Sequence, residues 1–159
     1  NLMKKKQSIN KVVSSNRRAN FDYEIIDRIE AGLVLLSSEV KSIRLNRVSL
    51  NGSYAFPFNG ELWLNNAHIA TYPYSTRNNH DPLRSRKLLL KKRDLTKFSE
   101  IAKQKGYSIV PLKLYFSGHY AKVELGVGRG KRNYDKRQSE RDKERNSEAR
   151  AAIRRANSY

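Results

Sequence analysis

The sequence contains no cysteine, and this absence removes several kinds of chemistry at once. Disulfide bonds, zinc sites with thiolate ligands and cysteine nucleophiles are all excluded. No uninterrupted apolar stretch approaches the roughly 18 residues that a helix needs to cross a bilayer. The first residues are rich in lysine, but no apolar segment of the secretory type follows them. We therefore expect a soluble, cytoplasmic protein.

Acidic residues are also scarce, since 15 Asp and Glu stand against 33 Lys and Arg, a formal net charge of +18. The net charge is +6 in each of three segments, which are residues 1–20, 21–128 and 129–159. A protein of the membrane surface would concentrate its charge on one amphipathic helix, so no membrane partner is expected. Nucleic acid is the strongest candidate partner, because lysine and arginine release condensed counterions from phosphates. The alternative is that the charge only keeps the protein soluble.

Motifs of catalysis and metal binding are missing as well. The histidines His68, His80 and His119 show neither an HxH nor an HExxH pattern, so no metal site and no cofactor is expected. Glu39 is a single acid in basic surroundings, for which a salt bridge is the commoner explanation. The glycine-rich stretch 126–131 fails both the GxGxxG and the Walker pattern. We therefore predict no catalytic residues and no enzyme activity.

Alternating apolar and polar residues predict short strands over most of the middle of the chain. The pair Asn59-Gly60 stands between two such alternations, and both residues tolerate the positive φ of a tight hairpin turn. Ala31-Gly32 interrupts an earlier β-rich stretch and predicts a hairpin or a bent pair of strands. Later strands are predicted over 107–116 and 120–127, with Pro111 at an edge or a bulge.

Helical spacing is found in two places, over 37–46 and over 93–105. Ser37 or Ser38 can cap the first helix, and Asp94 can cap the second. Helices that do not alternate regularly with strands disfavour a parallel α/β fold. We predict a mostly β fold: a small antiparallel OB-like barrel of about six strands, with two to three flanking helices and a basic C-terminal tail.

The tail, residues 129–159, has Ile153 as its only aliphatic residue larger than alanine. Glutamates repeat four residues apart in it, and so do arginines, at Arg137, Arg141 and Arg145. Like charges at this spacing weaken an isolated helix by a few tenths of a kcal/mol per pair. We predict a tail that is disordered when free and helical against an anionic partner, with a plain solvated tail as the alternative. The other predicted parts are a disordered basic N-terminus over 1–15 and an RNA-binding barrel over 16–128.

Basic residues cluster at the edges of the predicted elements. Arg17 and Arg18 precede the first long strand, and Lys41 and Arg44 project in similar directions from the first helix. A third cluster consists of Arg84, Arg86 and Lys87. One such cluster is usually a solvated face, but three of them favour a nucleic-acid interface. Leu89, which follows the third cluster, is either a core residue or packs on a base or ribose.

Several blocks of residues are specific enough to carry a family resemblance. The most specific are Glu39-Val40-Lys41-Ser42 and Arg86-Lys87-Leu88-Leu89-Leu90. Others are Asn16-Arg17-Arg18-Ala19, Glu30-Ala31-Gly32-Leu33-Val34-Leu35, Gly106-Tyr107-Ser108-Ile109-Val110-Pro111-Leu112, and Gly128-Arg129-Gly130-Lys131-Arg132 with Asp135-Lys136-Arg137. Together these blocks extend along the chain from Asn16 to Arg137. On them, the chain resembles the SmpB family, the bacterial SsrA-binding proteins.

The resemblance implies an OB-fold barrel that binds tmRNA at the elbow of its tRNA-like domain, where the D-loop and T-loop meet. It also implies a role in trans-translation, in which the protein and tmRNA enter a stalled ribosome so that the nascent chain is tagged and the ribosome released. Asn16, Glu30 and Leu89 match positions that the family uses for tmRNA. The start of the tail matches the part that enters the small-subunit decoding centre and the empty mRNA channel, at Lys131, Asp135, Lys136 and Arg137.

The predicted interface therefore has two parts. The predicted RNA-binding residues are Asn16, Arg17, Arg18, Glu30, Lys41, Arg44, Arg84, Arg86, Lys87, Leu89, Lys131 and Arg132. The predicted ribosome contacts of the tail are Tyr134, Asp135, Lys136, Arg137, Arg141 and Arg145. Glu30 is unusual beside phosphates, so we expect it to accept hydrogen bonds from a base edge or to orient an arginine, with a structural salt bridge as the alternative. The second function left open is a ribosomal-protein-like or general OB-fold binder of single-stranded nucleic acid.

Overall fold

The structure, a computed structural model, describes residues 10–75, 78–130 and 136–157. Its strands are β1 (Asn10–Ser15), β2 (Tyr23–Leu33), β3 (Val48–Ser49), β4 (Tyr54–Phe58), β5 (Glu61–Asn65), β6 (His68–Ile69), β7 (Arg86–Leu89), β8 (Tyr107–Ser117) and β9 (Tyr120–Gly130). Its helices are α1 (Arg17–Asp22), α2 (Ser37–Arg44), α3 (Lys92–Ala102) and α4 (Lys136–Asn157). No helix in these ranges is both long and apolar enough to cross a membrane.

Six of the described strands close into a barrel. Neighbouring strands run in the order β4-β5-β7-β2-β9-β8, and β8 pairs with β4, which closes the ring. Every one of these pairs is antiparallel. The long strand β8 also pairs with β1 outside the ring, and β3 and β6 form a separate ribbon. Closure removes exposed sheet edges, and it confirms the predicted antiparallel barrel of about six strands.

The barrel encloses an apolar core because successive residues of a strand point to opposite sides. Leu62, Val123 and Leu125 are completely buried within it. Ile43 of α2 and Phe98 of α3 belong to the same buried cluster, so both helices pack against the barrel. Each such side chain stabilises the fold by about 1.5–3 kcal/mol. The residues that alternate with these inward-facing ones point outward and form the outer surface of the barrel.

Two turn and bulge predictions are confirmed. Asn59 and Gly60 join β4 to β5 with φ values of 51° and 74°, the left-handed conformation that a two-residue hairpin requires. Pro111 lies where the β8–β9 register shifts, between Pro111 and Lys113. Proline has no N–H to donate to a neighbouring strand, so a bulge accommodates it.

Other local predictions are wrong. Ala31-Gly32 lies inside the continuous strand β2, because both neighbours of β2 continue to pair with it there. Asn10–Ser15, predicted to be disordered, form β1 on the outer edge of β8, while residues 1–9 lie outside the described residues. The N-caps are Leu36 and Lys91, where serine and Asp94 were expected. The Leu36 N–H instead donates to a carboxylate oxygen of Glu39, at 2.8 Å.

Helix α4 packs on the barrel, over β4 and β5. Ala149 and Ile153 are fully buried, and their spacing of four residues puts them on one face of the helix. One turn earlier, the Arg145 guanidinium lies 3.6 Å from the ring centre of Tyr54 and donates to Ser108 Oγ at 3.3 Å. The tail helix therefore packs against the barrel of its own chain. That the tail is disordered when it contacts neither the barrel nor RNA stays a prediction.

Candidate nucleic-acid interface

The outward side of four neighbouring strands carries two of the predicted RNA-binding residues. Leu89 of β7 pairs with Gly32 of β2. Gly32 also pairs with Lys122 of β9, whose partner on β8 is Tyr115. Glu30 stands two residues before Gly32 and so lies on the same side of the sheet. We call the surface formed by Glu30, Gly32, Leu89, Tyr115 and Lys122 the barrel face.

Leu89 is exposed, so it is not a core residue. Leu88 is 1% exposed and Leu89 is 53% exposed, so the first supplies the core and the second the barrel face. Gly32 keeps the space beside Leu89 open, because a β-carbon on Gly32 would stand only 3.2 Å from the Leu89 β-carbon. An exposed leucine beside small and basic residues can pack on a base or a ribose.

The Glu30 carboxylate is held by two neighbours on the barrel face. The Tyr115 hydroxyl donates a short hydrogen bond to Glu30 Oε2, and Lys122 Nζ lies 4.0 Å from Oε1. Burial raises the pKa of Tyr115, and the hydrogen bond to the carboxylate raises it further, so the hydroxyl stays protonated at neutral pH. The Glu30 side chain is still 54% exposed. Its free lone pairs can accept hydrogen bonds from a base edge, which is the chemistry predicted for it.

The neighbouring cations offset repulsion between acids on this side of the barrel. Glu30 stands directly opposite Glu124 in the pairing of β2 with β9, and like charges at such positions destabilise a sheet. Arg28 Nη1 lies 3.1 Å from Glu124 Oε1, while Lys122 lies beside Glu30. Both pairs are partly exposed, so each contributes about 1 kcal/mol or less to stability. A structural salt bridge is therefore a weak explanation for Glu30.

Asn16 has a structural position rather than an exposed one. It is 4% exposed, and its Nδ2 donates to the carbonyl oxygens of Pro111 at 2.9 Å and Leu50 at 3.3 Å. Its Oδ1 accepts from the Ala19 N–H at 3.3 Å and so caps α1. Both amide hydrogens are thus used inside the protein. Asn16 thus ties the start of α1 to the barrel, and its direct contact with RNA stays a prediction.

The start of α1 brings two exposed arginines near the barrel face. Arg17 and Arg18 follow Asn16 directly and are both exposed. Ser15, two residues before Arg17, is three strands away from Glu30. It pairs with Lys113 of β8, Lys113 pairs with Glu124 of β9, and Glu124 pairs with Glu30 of β2. With about 4.8 Å between strands, that separation is about 15 Å. These arginines can therefore reach phosphates of an RNA whose bases contact Glu30.

Arg86 is buried, and its guanidinium donates to acceptors inside the protein, so its binding to RNA stays a prediction. Its Nε donates to Glu39 Oε2 at 2.5 Å, and its Nη1 donates to the Ala67 carbonyl at 2.6 Å. Its Nη2 donates to the Pro82 carbonyl at 3.1 Å. Arg84 Nη2 lies 2.6 Å from Glu39 Oε1, with 12% of the Arg84 side chain exposed. The salt bridge expected for Glu39 is confirmed, and both arginines take part in it.

The remaining predicted cations of the barrel stay at the surface. Lys41 and Arg44 are both exposed on α2. Lys41 Nζ lies 5.6 Å from the ring centre of Tyr72, and the Arg44 guanidinium lies 4.7 Å from that of Phe116. Lys87 is half-buried, with its Nζ 3.4 Å from a carboxylate oxygen of β5. Cations placed over rings keep their peripheral N–H donors free for an anion.

Most of the predicted tail residues cannot be placed. Lys131, Arg132, Tyr134 and Asp135 lie outside the described residues, and the side chains of Lys136, Arg137 and Arg141 are not described either. Their roles stay predictions. Arg145 is described and contacts the barrel through Tyr54. Within the described ranges, no group of three His, Asp or Glu residues could hold a metal ion.

Sequence reasoning missed Tyr115 and Lys122, which complete the barrel face. Each stands next to a buried residue, Leu114 and Val123 respectively, and strand alternation alone could have placed them outward. Their relation to Glu30 could not have been found in this way, because strand order and register bring together residues that are far apart along the chain.

Comparison with known proteins agrees with this architecture. The family model for SmpB protein matches residues 13–155. The SsrA-binding protein of Leifsonia xyli subsp. xyli is 54% identical over 143 residues, which cover 90% of this chain and 90% of that protein. The SsrA-binding protein of Staphylococcus aureus (strain JH1) is 56% identical over 131 residues, covering 82% of this chain and 85% of that protein.

A solved structure is similar over nearly the whole chain. It is named "tmRNA-SmpB: a journey to the center of the bacterial ribosome", and one of its chains superposes with a TM-score of 0.67 at 45% identity. The superposition covers 91% of this chain and 96% of that chain. Since the family model and these relatives span most of its length, the chain belongs to the SmpB family of SsrA-binding proteins.

Proposed function

We propose that this protein is a non-catalytic adaptor that binds the tRNA-like domain of tmRNA and delivers it to stalled ribosomes for trans-translation. The observation that carries the proposal is the 45% identity, over 91% of this chain, with a chain of the solved structure named for tmRNA, SmpB and the bacterial ribosome. The net charge of +18 supports it, because a protein that meets two folded RNAs gains affinity from counterion release at both.

The barrel face is the part that we assign to the elbow of the tRNA-like domain. Folded RNA offers unstacked loop bases and 2′-hydroxyls to a protein surface. Leu89 supplies an apolar contact for a base or ribose, and Glu30 accepts hydrogen bonds from a base edge. Arg17 and Arg18, which follow Ser15 at about 15 Å from Glu30 across the sheet, neutralise phosphates beside the contacted bases. This division lets the barrel face read the shape of the elbow while the arginines supply affinity.

Replacing Glu30 by alanine should weaken binding of the tRNA-like domain about tenfold or more, since a hydrogen bond to a charged group contributes about 1.5–3 kcal/mol. Replacing Tyr115 by phenylalanine keeps the ring but removes the donor that orients Glu30, so we expect roughly a threefold loss. Filter binding at fixed salt measures both. The melting temperature should change little, because Glu30 is exposed.

The matched control is Glu100→Ala, which removes an exposed acid of α3 outside the barrel face. Loss of a negative charge there strengthens binding to RNA slightly or leaves it unchanged. If Glu30→Ala behaves like Glu100→Ala, or if it lowers the melting temperature strongly, the proposed contact between Glu30 and RNA is wrong.

The tail is the part that we assign to the small-subunit decoding centre and the empty mRNA channel. A basic segment with a net charge of +6 over residues 129–159 suits a channel lined with RNA phosphates. To enter such a channel, α4 has to leave the barrel. Burial of Ile153 contributes about 1.5–3 kcal/mol to this packing, and buried Ala149 and the contact of Arg145 with Tyr54 add to it. The phosphate contacts of the tail have to outweigh the sum.

A peptide of residues 129–159 should show little helix by circular dichroism and gain helix when structured RNA is added. Without the barrel, Ile153 has nothing to pack against, and the like-charged pairs weaken the isolated helix. RNA phosphates neutralise the arginines and remove part of that repulsion. The same peptide with added single-stranded polyuridine separates the effect of charge from that of a folded RNA. No gain in helicity with either RNA contradicts coupled folding of the tail.

The second candidate function, a ribosomal-protein-like or general binder of single strands, is separated from the first by partner choice. An adaptor should prefer the tRNA-like domain of tmRNA over single-stranded RNA and over bulk ribosomal RNA at moderate salt. Competition binding measures this preference, and a footprint of the protein on tmRNA should protect the elbow. Equal affinity for all three RNAs would favour the general binder instead.

A further inference from the structure

Two tyrosines line a surface cleft between α2 and the segment that leads to β7. The rings of Tyr72 and Tyr74 meet edge to face, with centroids 5.5 Å apart and planes inclined by 71°. Tyr74 is 76% exposed, whereas Tyr72 is half-buried. The cleft has a volume of about 400 Å³ and is also lined by Ser37, Ser38, Lys41, Ser75 and Asn78. An exposed aromatic ring beside a cation is a feature that neither the core nor the barrel face explains.

The backbone of Tyr72 is held in place by the side chain of Asn79. Asn79 Oδ1 accepts from the Tyr72 N–H at 3.1 Å, and Asn79 Nδ2 donates to the Tyr72 carbonyl at 2.9 Å. Lys41 Nζ lies 5.6 Å from the Tyr72 ring centre, on the wall that α2 provides. Tyr72 is therefore positioned before any ligand arrives, which lowers the entropy lost on binding, and the Tyr74 ring meets it edge to face.

A buried histidine ties this segment to α2 as well. His80 is 5% exposed, its Nδ1 lies 2.8 Å from Ser38 Oγ, and its Nε2 lies 2.8 Å from the Ile69 carbonyl oxygen. Ser38 belongs to the cleft wall, so the same contact fixes the wall and the end of the segment. The cleft is a built feature of the fold.

The chemistry of the lining indicates the ligand. Aromatic faces accept an unpaired base of any sequence by stacking. Lys41 supplies a positive charge for the phosphate of that nucleotide, and the hydroxyl of Ser37 can donate to it. The residues that line the cleft include no acid. Stacking surface, cation and hydroxyl donors together fit a single unstacked nucleotide of an RNA chain better than a peptide or a lipid.

We propose that Tyr72, Tyr74 and Lys41 form a second RNA-binding site, which stacks one unpaired base and pairs its phosphate with Lys41. The inference rests on the proposed function, because that function brings this surface close to folded RNA. The site is separate from the barrel face, since its tyrosines lie between β6 and β7, and its lysine lies on α2. The nucleotide belongs either to tmRNA or to ribosomal RNA, and both offer the same chemistry.

The test compares three variants in two binding assays. Tyr74→Ala removes the exposed ring, Tyr74→Phe keeps it, and Tyr120→Ala removes a ring that is 74% exposed at the start of β9, outside the cleft. One assay uses the tRNA-like domain of tmRNA, and the other uses purified small ribosomal subunits. We expect Tyr74→Ala to bind one of the two roughly tenfold more weakly. Tyr74→Phe and Tyr120→Ala should bind both like the unchanged protein.

Ultraviolet crosslinking with peptide mass spectrometry supplies a second readout, in which the Tyr72–Tyr74 peptide should carry a crosslinked nucleotide. Loss on the tRNA-like domain assigns the base to tmRNA, and loss on the subunits assigns it to ribosomal RNA. Unchanged binding of Tyr74→Ala in both assays overturns the site, and so does an equal loss for Tyr120→Ala. An equal loss for Tyr74→Phe overturns stacking. A different result decides the proposed function, which is wrong if the unchanged protein shows no preference for the tRNA-like domain.

Discussion

Replacing Glu39 by glutamine should lower the free energy of unfolding by about 3–5 kcal/mol, because it removes the charge that compensates two arginines inside the protein. The side chains of Glu39 and Arg86 are 0% exposed, and that of Arg84 is 12% exposed. Glutamine keeps the shape of the side chain but leaves the Arg86 guanidinium buried without a counter-charge. For a chain of this length, we expect the melting temperature to fall by roughly 6–20 °C.

Urea and thermal denaturation measure this loss, and Glu61→Gln is the matched control. Glu61 makes the same kind of ion pair, with Lys87 at 3.4 Å, but both side chains are 38% exposed. Water can solvate either partner there, so the control should cost no more than about 1 kcal/mol. If the two variants lose the same stability, the buried network does not hold the fold in the way described.

The pH dependence of stability should carry the signature of the same carboxylate. Burial raises the pKa of Glu39, but the hydrogen bond from Arg84 and the charge of Arg86 outweigh it, so the net pKa lies below the usual 4.5. The unfolded chain therefore binds the proton more readily than the folded protein does. The stabilisation is complete above the unfolded pKa and is lost as the pH falls through the folded value. The difference between the unchanged protein and Glu39→Gln should shrink on acidification below about pH 4.5.

A stop after Gly130 should abolish tagging of stalled nascent chains while largely preserving binding to the tRNA-like domain of tmRNA, because it removes only Lys131 and Arg132 of the predicted RNA-binding residues. The cut belongs after Gly130 because β9 extends to that residue, where it pairs with Tyr23 of β2. The barrel face and the arginines of α1 all remain. Among the described residues of the removed segment, Ala149 and Ile153 are the fully buried ones, so the barrel should stay folded. Reconstituted translation on a message without a stop codon measures tagging, and filter binding measures RNA affinity.

A tail of scrambled sequence over residues 131–159 is the control that keeps composition and charge. It should bind tmRNA as the full protein does and still fail to support tagging, if the order of tail residues matters in the decoding centre. Tagging by the scrambled tail would reduce the role of the tail to its charge. Tagging by the truncated protein would contradict the division of labour between barrel and tail.

Local chemistry explains which parts of the fold could be predicted. The turn at Asn59-Gly60 and the bulge at Pro111 depend on the φ range of a residue or on a missing N–H, and these properties belong to the residue itself. Strand alternation likewise depends on backbone geometry. The strand β1 could not be predicted, because Asn10–Ser15 become ordered only where β8 offers them an unpaired edge.

The amino-acid sequence was enough to establish the basic character, the antiparallel barrel and the family, since charge, alternation and motif order are readable along a single chain. It could not separate the arginines that are buried in the fold from those that are exposed at the surface. Arg84 and Arg86 belong to the same basic run as Lys87, yet closure of the barrel brings Glu39, more than forty residues earlier, against both arginines. Whether a charge is solvated or buried depends on which distant segments pack around it, and that follows only from the folded arrangement of the strands.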